Sequence, residues 1–392
     1  MQSNLFATTP KLLPSLQASM VAGEASGDLL AAQVLLALKQ QWPDINASGI
    51  GGPQMIAQGF KAQWPSEKLS VFGYWDALKV YRSLLKIRNQ LANQCLAQPP
   101  DLFMGIDAPD FNFGLEKKLK QAGIKTIHVV CPSIWAWRPN RVHELKQVAD
   151  HVLCLFPFEP ALLKPHGIEA TFIGHPLASK IDLHPDKNKA RLSLGLVNNA
   201  QIVAVLPGSR QSEINLIGPI FFQAIALLHE KRPNLQFILP CAPGRRGSIE
   251  QQLKALNLES VVQLFDGQSH SVLAASDAVM VASGTATLEA ALFKCPMVIA
   301  YKLGRISYAL MKRMKLQPWV GLPNILSQDF IVPELIQDQA TPIGVANAIE
   351  KWLDHPEAVS QLKDKLLHLH QSLQQETSSL VIEAVRKVLK SN

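Results

Sequence analysis

The sequence predicts an α/β protein made of two parallel-sheet units, and three observations predict it. Short apolar runs ending in Gly or Pro alternate with amphipathic stretches, the rhythm breaks once near mid-chain, and the segment from Ile343 to Leu389 reads as helices only. In chain order, Ser19–Ala22 before Gly23 is the first strand, and Asp28–Lys39 is the helix that follows it. Leu102–Gly105, Thr126–Val130, His151–Leu155 and Ala170–Ile173 are further short apolar runs suited to buried strands. Pro176, Pro185 and the polar run Asp186–Lys189 interrupt the pattern. It restarts with Ile202–Leu206, Gln236–Leu239, Val261–Leu264, Ala278–Ala282 and Met297–Ala300. In the tail, Leu380, Val381, Ala384, Val385, Val388 and Leu389 form an apolar stripe that must pack on something. The expected units are 18–180 and 186–342.

Composition sets the class. A chain of 392 residues exceeds the range of a single core, and 47% hydrophobic with 18% charged residues excludes disorder. The net charge of +7 suits nucleic acid, an anionic membrane face or a phosphorylated substrate, without choosing among them. The five cysteines are dispersed, with no C-x-x-C pair, and read as reduced core thiols. No apolar run reaches the ~18 residues of a membrane span, residues 1 to 17 read as a loose leader, and the expected compartment is the cytoplasm.

In doubly wound sheets ligands sit beyond the carboxyl ends of strands. The distinctive motifs of this chain fall there. Val281–Glu289 reads as a strand, a small turn (Ser283, Gly284, Thr285) and a helix carrying Glu289. Orphan N–H groups at that helix start, together with its dipole, attract phosphate, and Glu289 one turn on suits ribose hydroxyls. Pro207-Gly208-Ser209-Arg210 offers another strand-end turn with free N–H groups and a guanidinium fork that matches phosphate oxygens. In the first half, Gly23–Asp28 and Ile106–Asn112 follow strands, and Gly49–Pro53 reads as a second glycine-rich turn. None of these is a Walker A or G-x-G-x-x-G sequence. His128, His151 and His175 read as core or turn histidines, and no metal cluster is expected.

Six ordered motifs carry a family resemblance: Ala22–Asp28, Gly105–Asn112, Pro132–Arg138, Leu206–Arg210, Ala282–Glu289 and Leu322–Asn324. Together, over about Met20 to Leu335, they closely resemble the lipid-A-disaccharide synthases. The resemblance implies a GT-B type glycosyltransferase: two Rossmann-like parallel-sheet domains facing across a cleft, with the C-terminal helices 343–392 returning to the N-terminal domain. It implies an inverting transfer of 2,3-diacylglucosamine from UDP-2,3-diacylglucosamine to the 6-hydroxyl of 2,3-diacylglucosamine 1-phosphate, with no cofactor.

An inversion needs one base at the acceptor hydroxyl and positive groups at the departing diphosphate. Matched to the family motifs, Asp107 is the expected base and Asp110 the alternative, with capping of the helix near Phe111 as the structural role expected of Asp110. Arg210, Ser209, Ser283, Gly284 and Thr285 are the expected diphosphate contacts, and Glu289 holds ribose. Asn324 is a candidate for the diphosphate or donor sugar, or for turn formation through its own side chain. Glu24 and Ser26 are candidate sugar contacts. Trp135 and Trp137 share a face if the segment is extended, and with Arg138 would wall an acyl chain or sugar phosphate; buried structural tryptophans are the alternative.

A diacylated substrate implies contact with the inner face of the cytoplasmic membrane. In Phe72–Arg88, Lys79, Arg82 and Lys86 cluster on one helical face, with Trp75, Leu78, Tyr81 and Leu85 supplying apolar surface, the pattern of an interfacial helix. Tyr301–Trp319 is a second basic, aromatic stretch. Two other readings stand beside this one. One is another UDP-amino-sugar enzyme, such as the lipid-linked peptidoglycan glucosaminyltransferase or a UDP-sugar 2-epimerase. The other is a non-enzymatic basic lipid-binding protein; no nucleic-acid motif is present in the sequence.

Overall fold

The computed structural model describes residues 15–65, 77–304, 308 and 316–390. Trp75 and most of the 301–319 stretch lie outside them. The chain forms two compact units, one of residues 1–174 with 375–392 and one of residues 175–374.

The first unit holds a parallel sheet of β1 (Gln17–Ala22), β2 (Asn46–Gly51), β3 (Lys61–Pro65), β4 (Leu102–Ile106), β5 (Lys125–Val129), β6 (His151–Cys154) and β7 (Ala170–Phe172), in the order β3-β2-β1-β4-β5-β6-β7. Its helices are α1 (Ala25–Gln41), α2 (Pro53–Ala57), α3 (Ala77–Ala97), α4 (Pro109–Gln121), α5 (Arg141–Val148) and α6 (Glu159–Leu163). The second unit opens with α7 (Pro176–Lys180) and α8 (Lys187–Ser193). Its sheet contains β8 (Ile202–Leu206), β9 (Gln236–Cys241), β10 (Val262–Asp266), β11 (Ala278–Ala282), β12 (Met297–Tyr301) and β13 (Glu334–Ile336), in the order β10-β9-β8-β11-β12-β13. Between and after these strands run α9 (Gln211–Lys231), α10 (Arg246–Lys254), α11 (Ser269–Ala275), α12 (Thr285–Leu292), α13 (Leu322–Ser327), α14 (Pro342–Asp354) and α15 (Pro356–Leu373). The last helix, α16 (Thr377–Lys390), belongs to the first unit.

Each strand order reverses once, between β1 and β4 and between β8 and β11, and adjacent strand ends diverge there to leave a crevice. Continuous apolar runs bury the central strands on both faces: every residue of β4, β6, β8 and β11 is buried.

The sequence reading missed three strands. β3 and β13 are edge strands, which need less apolar sequence. β2 (Asn-Ala-Ser-Gly-Ile-Gly) replaces most of the expected glycine-rich turn. Gly49 sits within it at φ +138, where a Cβ would lie 2.3 Å from the Met20 carbonyl oxygen on β1. Its glycine serves close strand approach. The turn that remains is held by Asp28, whose buried carboxylate accepts the N–H groups of Gly52, Gln54 and Met55 at 2.9, 2.9 and 3.1 Å.

The helical tail divides differently from the expected 343–392. Helices α14 and α15 stay with the second unit, and only α16 returns to the first. There Val381, Ala384, Val385 and Val388 bury the foreseen stripe in a core shared with Leu30, Val34, Leu38 and the β1 side chains. Helix α9 has the length and mean hydropathy of a membrane span, but Ile214, Ile217, Phe221, Phe222, Ile225 and Leu228 are buried in the core of the second unit.

Candidate active site

In the first unit, the turns after β1 and β4 meet at the reversal point. Gly23, Glu24, Asp107 and Asp110 line one cavity of about 580 Å³, walled by Leu84, Leu85, Phe111, Val130 and Trp137 and edged by Arg88 and Arg141. The backbone here is strained. Asp107 and Ala108 take φ of 51° and 43°, and Val130, just past β5, takes 78°. A left-handed conformation is costly for a β-branched valine, and such strain concentrates where function over-determines it, at about 1–3 kcal/mol per residue.

Hydrogen bonds hold the Asp107 turn. Its N–H donates to the Val129 carbonyl at 2.8 Å, extending the sheet by one residue. Its own carbonyl accepts from Asn112 Nδ2 at 2.8 Å, and Asn112 is fully buried. One turn further along α4, buried Glu116 pairs with His128 Nδ1 of β5 at 2.7 Å. Burial raises the Glu116 pKa, and the His128 charge opposes that rise. Gly105 is required beside this pair, because a Cβ there would lie 2.1 Å from Glu116 Oε1.

Several expected residues play other parts. Asp110 does not cap α4: the N-cap is Ala108, and Asp110 sits 83% exposed in the first turn, paired with Arg141. The 133–137 segment is a turn rather than an extended strand, so Trp135 and Trp137 do not share a face. Trp135 points inward, donating from Nε1 to Glu159 at 3.0 Å and meeting Phe156 and Phe158 edge-on. Trp137 points outward, with Arg138 stacked 4.2 Å from its ring centroid. Trp137 lines the cavity; Trp135, Arg138 and the exposed Ser26 do not. The histidines are structural: besides His128, His151 bonds Thr171 Oγ1 at 2.9 Å, and His175 Nδ1 caps α7 by accepting the Leu177 N–H.

In the second unit, the turns after β8 and β11 lie side by side, since Leu206 pairs with Val281 in register. At the β8 turn the N–H groups expected to be free are occupied: Ser209 and Arg210 donate to Glu213 Oε2 at 3.0 and 3.2 Å. Gly208, at φ +116, permits that closure, because a Cβ would lie 2.5 Å from the Glu213 Cβ. Arg210 itself projects outward, with its side chain 72% exposed. Glu213 was not singled out from the sequence, although its place three residues after the N-cap is a capping signal.

At the β11 turn the Ser283 N–H is also spent, on the Ala300 carbonyl at 3.3 Å. Gly284, Thr285 and Ala286 then present N–H groups without a partner among the described residues. Gly284 adopts φ +141 with open space where a Cβ would stand, so a ligand can approach the backbone. Burial raises the pKa of Glu289 on the next turn, and His270 Nε2 lies 3.8 Å away. Tyr301, ending β12, feels the same cluster: burial raises its pKa, Glu213 adds to the rise and Arg210 opposes it.

Asn324 does not face a ligand. It is fully buried, donates to the Val332 carbonyl and Glu334 Oε1 at 2.9 Å each, and accepts the Val332 N–H at 3.0 Å. Glu334 also receives the N–H groups of Val320 and Gly321, so this pair fixes the loop leading into α13. The remaining expected contacts lie on α3. Arg82 and Lys86 are exposed and Leu85 half-buried, while the side chains of Leu78, Lys79 and Tyr81 lie outside the described residues.

Comparison with known proteins agrees with this architecture. The chain is 54% identical over 379 residues to a lipid-A-disaccharide synthase of Albidiferax ferrireducens, covering 95% of this chain and 97% of that one. It is 50% identical over 378 residues to that of Burkholderia thailandensis, covering 96% and 97%. Among solved structures, a UDP-GlcNAc 2-epimerase from Neisseria meningitidis bound to UDP-GlcNAc superposes with a TM-score of 0.65 at 14% identity, covering 96% of this chain and all of that one. MurG of Acinetobacter baumannii gives 0.57 at 14% identity, covering 95% and 100%. At such identities these two likenesses establish the shared two-sheet fold. Residues 18–388 match the lipid-A-disaccharide synthetase family, and the chain belongs to it.

Proposed function

We propose that the protein transfers 2,3-diacylglucosamine from UDP-2,3-diacylglucosamine to the 6-hydroxyl of 2,3-diacylglucosamine 1-phosphate. The observation that carries the assignment of roles is Asp107, a carboxylate on a strained strand-end turn inside a cavity with apolar walls and arginines at its edge. Asp107 takes the proton of the acceptor hydroxyl as its oxygen attacks the anomeric carbon of the donor sugar. The new C–O bond forms on the face opposite UDP, the bond to the diphosphate breaks, and the anomeric configuration inverts.

The departing charge falls on the β-phosphate of UDP. Arg210 meets it with a fixed cation, and the open N–H groups of Gly284 and Thr285 meet it with the positive end of the α12 dipole. Glu289 accepts from the ribose hydroxyls. The apolar walls formed by Leu84, Leu85, Phe111 and Trp137 suit the proximal part of an acyl chain. Substrates of this kind reside in a bilayer, and the Lys79, Arg82 and Lys86 face of α3 suits an anionic surface next to the cavity that Leu84, Leu85 and Arg88 line.

The test is to incubate purified protein with both lipids in detergent and follow UDP release alongside disaccharide by mass spectrometry. Acceptor-dependent formation of both products is expected. UDP binding without transfer would point to another UDP-amino-sugar enzyme, and absence of UDP binding to a lipid-binding protein.

A further inference from the structure

Two arginines stand at the mouth of the Asp107 cavity and have no role in the reaction as described. Arg88, near the middle of α3, lies across α4 at Gly114: a Cβ on Gly114 would come within 2.6 Å of its Nη1, so only glycine there lets the guanidinium rest at this place. No carboxylate pairs with Arg88 among the described residues. Arg141, at the start of α5, is only 15% exposed and is held by Asp110, itself 83% exposed. Both arginines line the cavity with Asp107, and Leu84, Leu85, Phe111 and Trp137 supply its apolar surface. The cavity holds three carboxylates, Glu24, Asp107 and Asp110, and Arg88 and Arg141 are its cations among the described residues, so an anionic group that enters it has these two guanidiniums as its partners.

We propose that Arg88 and Arg141 form the site for the anomeric phosphate of the acceptor and set its specificity for a sugar 1-phosphate. The inference rests on the assignment of Asp107 as the base that meets the acceptor hydroxyl. A phosphate monoester carries about −1.5 to −2 charges near neutral pH and offers three acceptor oxygens, the complement of two guanidinium forks. The donor diphosphate has its own cradle at Arg210 and Gly284, in the other unit. The acceptor is the substrate whose hydroxyl must lie at Asp107, so the anion that these arginines meet is its own. Asp110 orients Arg141 and remains exposed, so it yields part of that guanidinium when phosphate binds.

The experiment compares 2,3-diacylglucosamine 1-phosphate with the same acceptor lacking the phosphate, at saturating UDP-2,3-diacylglucosamine. The proteins are wild type, Arg88→Ala, Arg88→Lys and Arg141→Ala, with UDP affinity and thermal melting as checks on folding. Wild type should prefer the phosphorylated acceptor. Each alanine variant should raise KM for it by about 10- to 100-fold while leaving kcat/KM for the other acceptor within about twofold, so the preference collapses. Arg88→Lys should recover part of the loss, because it keeps the charge without the fork. Equal losses on both acceptors, or a raised KM for the UDP-sugar with the acceptor preference intact, would overturn the phosphate assignment. Failure of the wild type to use either acceptor would overturn the transferase reading on which it stands.

Discussion

At the scale of single residues, the same residue type does opposite work in different surroundings. By its sequence Asn324 suits a turn or a ligand contact, yet its three hydrogen bonds are all internal. Asn324→Ala strands buried polar groups of Val332 and Glu334, costing about 2 kcal/mol. Differential scanning calorimetry should show Tm falling by about 4–8 °C, with UDP affinity retained. Trp135 is similar: its indole serves Glu159, which also accepts the N–H groups of Leu155 and Phe156. Burial pushes the Glu159 carboxyl up from 4.5 to about 7. Because the folded state binds this proton more tightly, the stability it contributes is fully present below about pH 4.5 and is lost as pH rises through about 7. Denaturant melts from pH 4.5 to 8 should show that decline, and Glu159→Gln should flatten it. Sequence could place Asp107, Arg210 and Gly284 on turns at strand ends, because apolar runs and glycines mark those turns locally. It could not distinguish Asn324 or Trp135 as structural, because their partners, Val332, Glu334 and Glu159, are set by tertiary folding.

Elements were more legible than contacts. Apolar runs such as Ile202–Leu206 and Ala278–Ala282 matched β8 and β11 to the residue, since strands buried on both faces leave no other periodicity. β2 was hidden because small residues and two glycines look like a turn, and only the approach of Met20 explains Gly49. The apolar stripe of α16 was plain, but sequence alone could not say that α14 and α15 would stay behind in the second unit. Val385 lies at the centre of that stripe and is fully buried. Val385→Asp should destabilise the first unit by at least about 3 kcal/mol, through a charge with no partner. Limited proteolysis should then cleave residues 15–174 while the second unit resists. Equal protection of both units would show that α16 is dispensable.

At the scale of the whole molecule, the two units present different side chains at their strand ends. One carries a carboxylate and an apolar, arginine-edged cavity, and the other an outward arginine beside an open helix N-terminus. The basic excess of the sequence has a use if the first unit meets an anionic bilayer. Replacing Lys79, Arg82 and Lys86 by Glu should weaken sedimentation with anionic vesicles by about 100-fold, and added salt should weaken the wild type in the same direction. Unchanged binding would remove α3 from the membrane surface. The central claim, however, is the role of Asp107. Asn is its most informative replacement, because it tolerates the left-handed backbone of this turn while lacking a basic oxygen. With both lipid substrates saturating, Asp107→Asn should lower kcat by about 10²- to 10⁴-fold with UDP affinity unchanged. Turnover within a few-fold of wild type would contradict the account and return the search for the base to the remaining carboxylates of the cavity, Glu24 and Asp110.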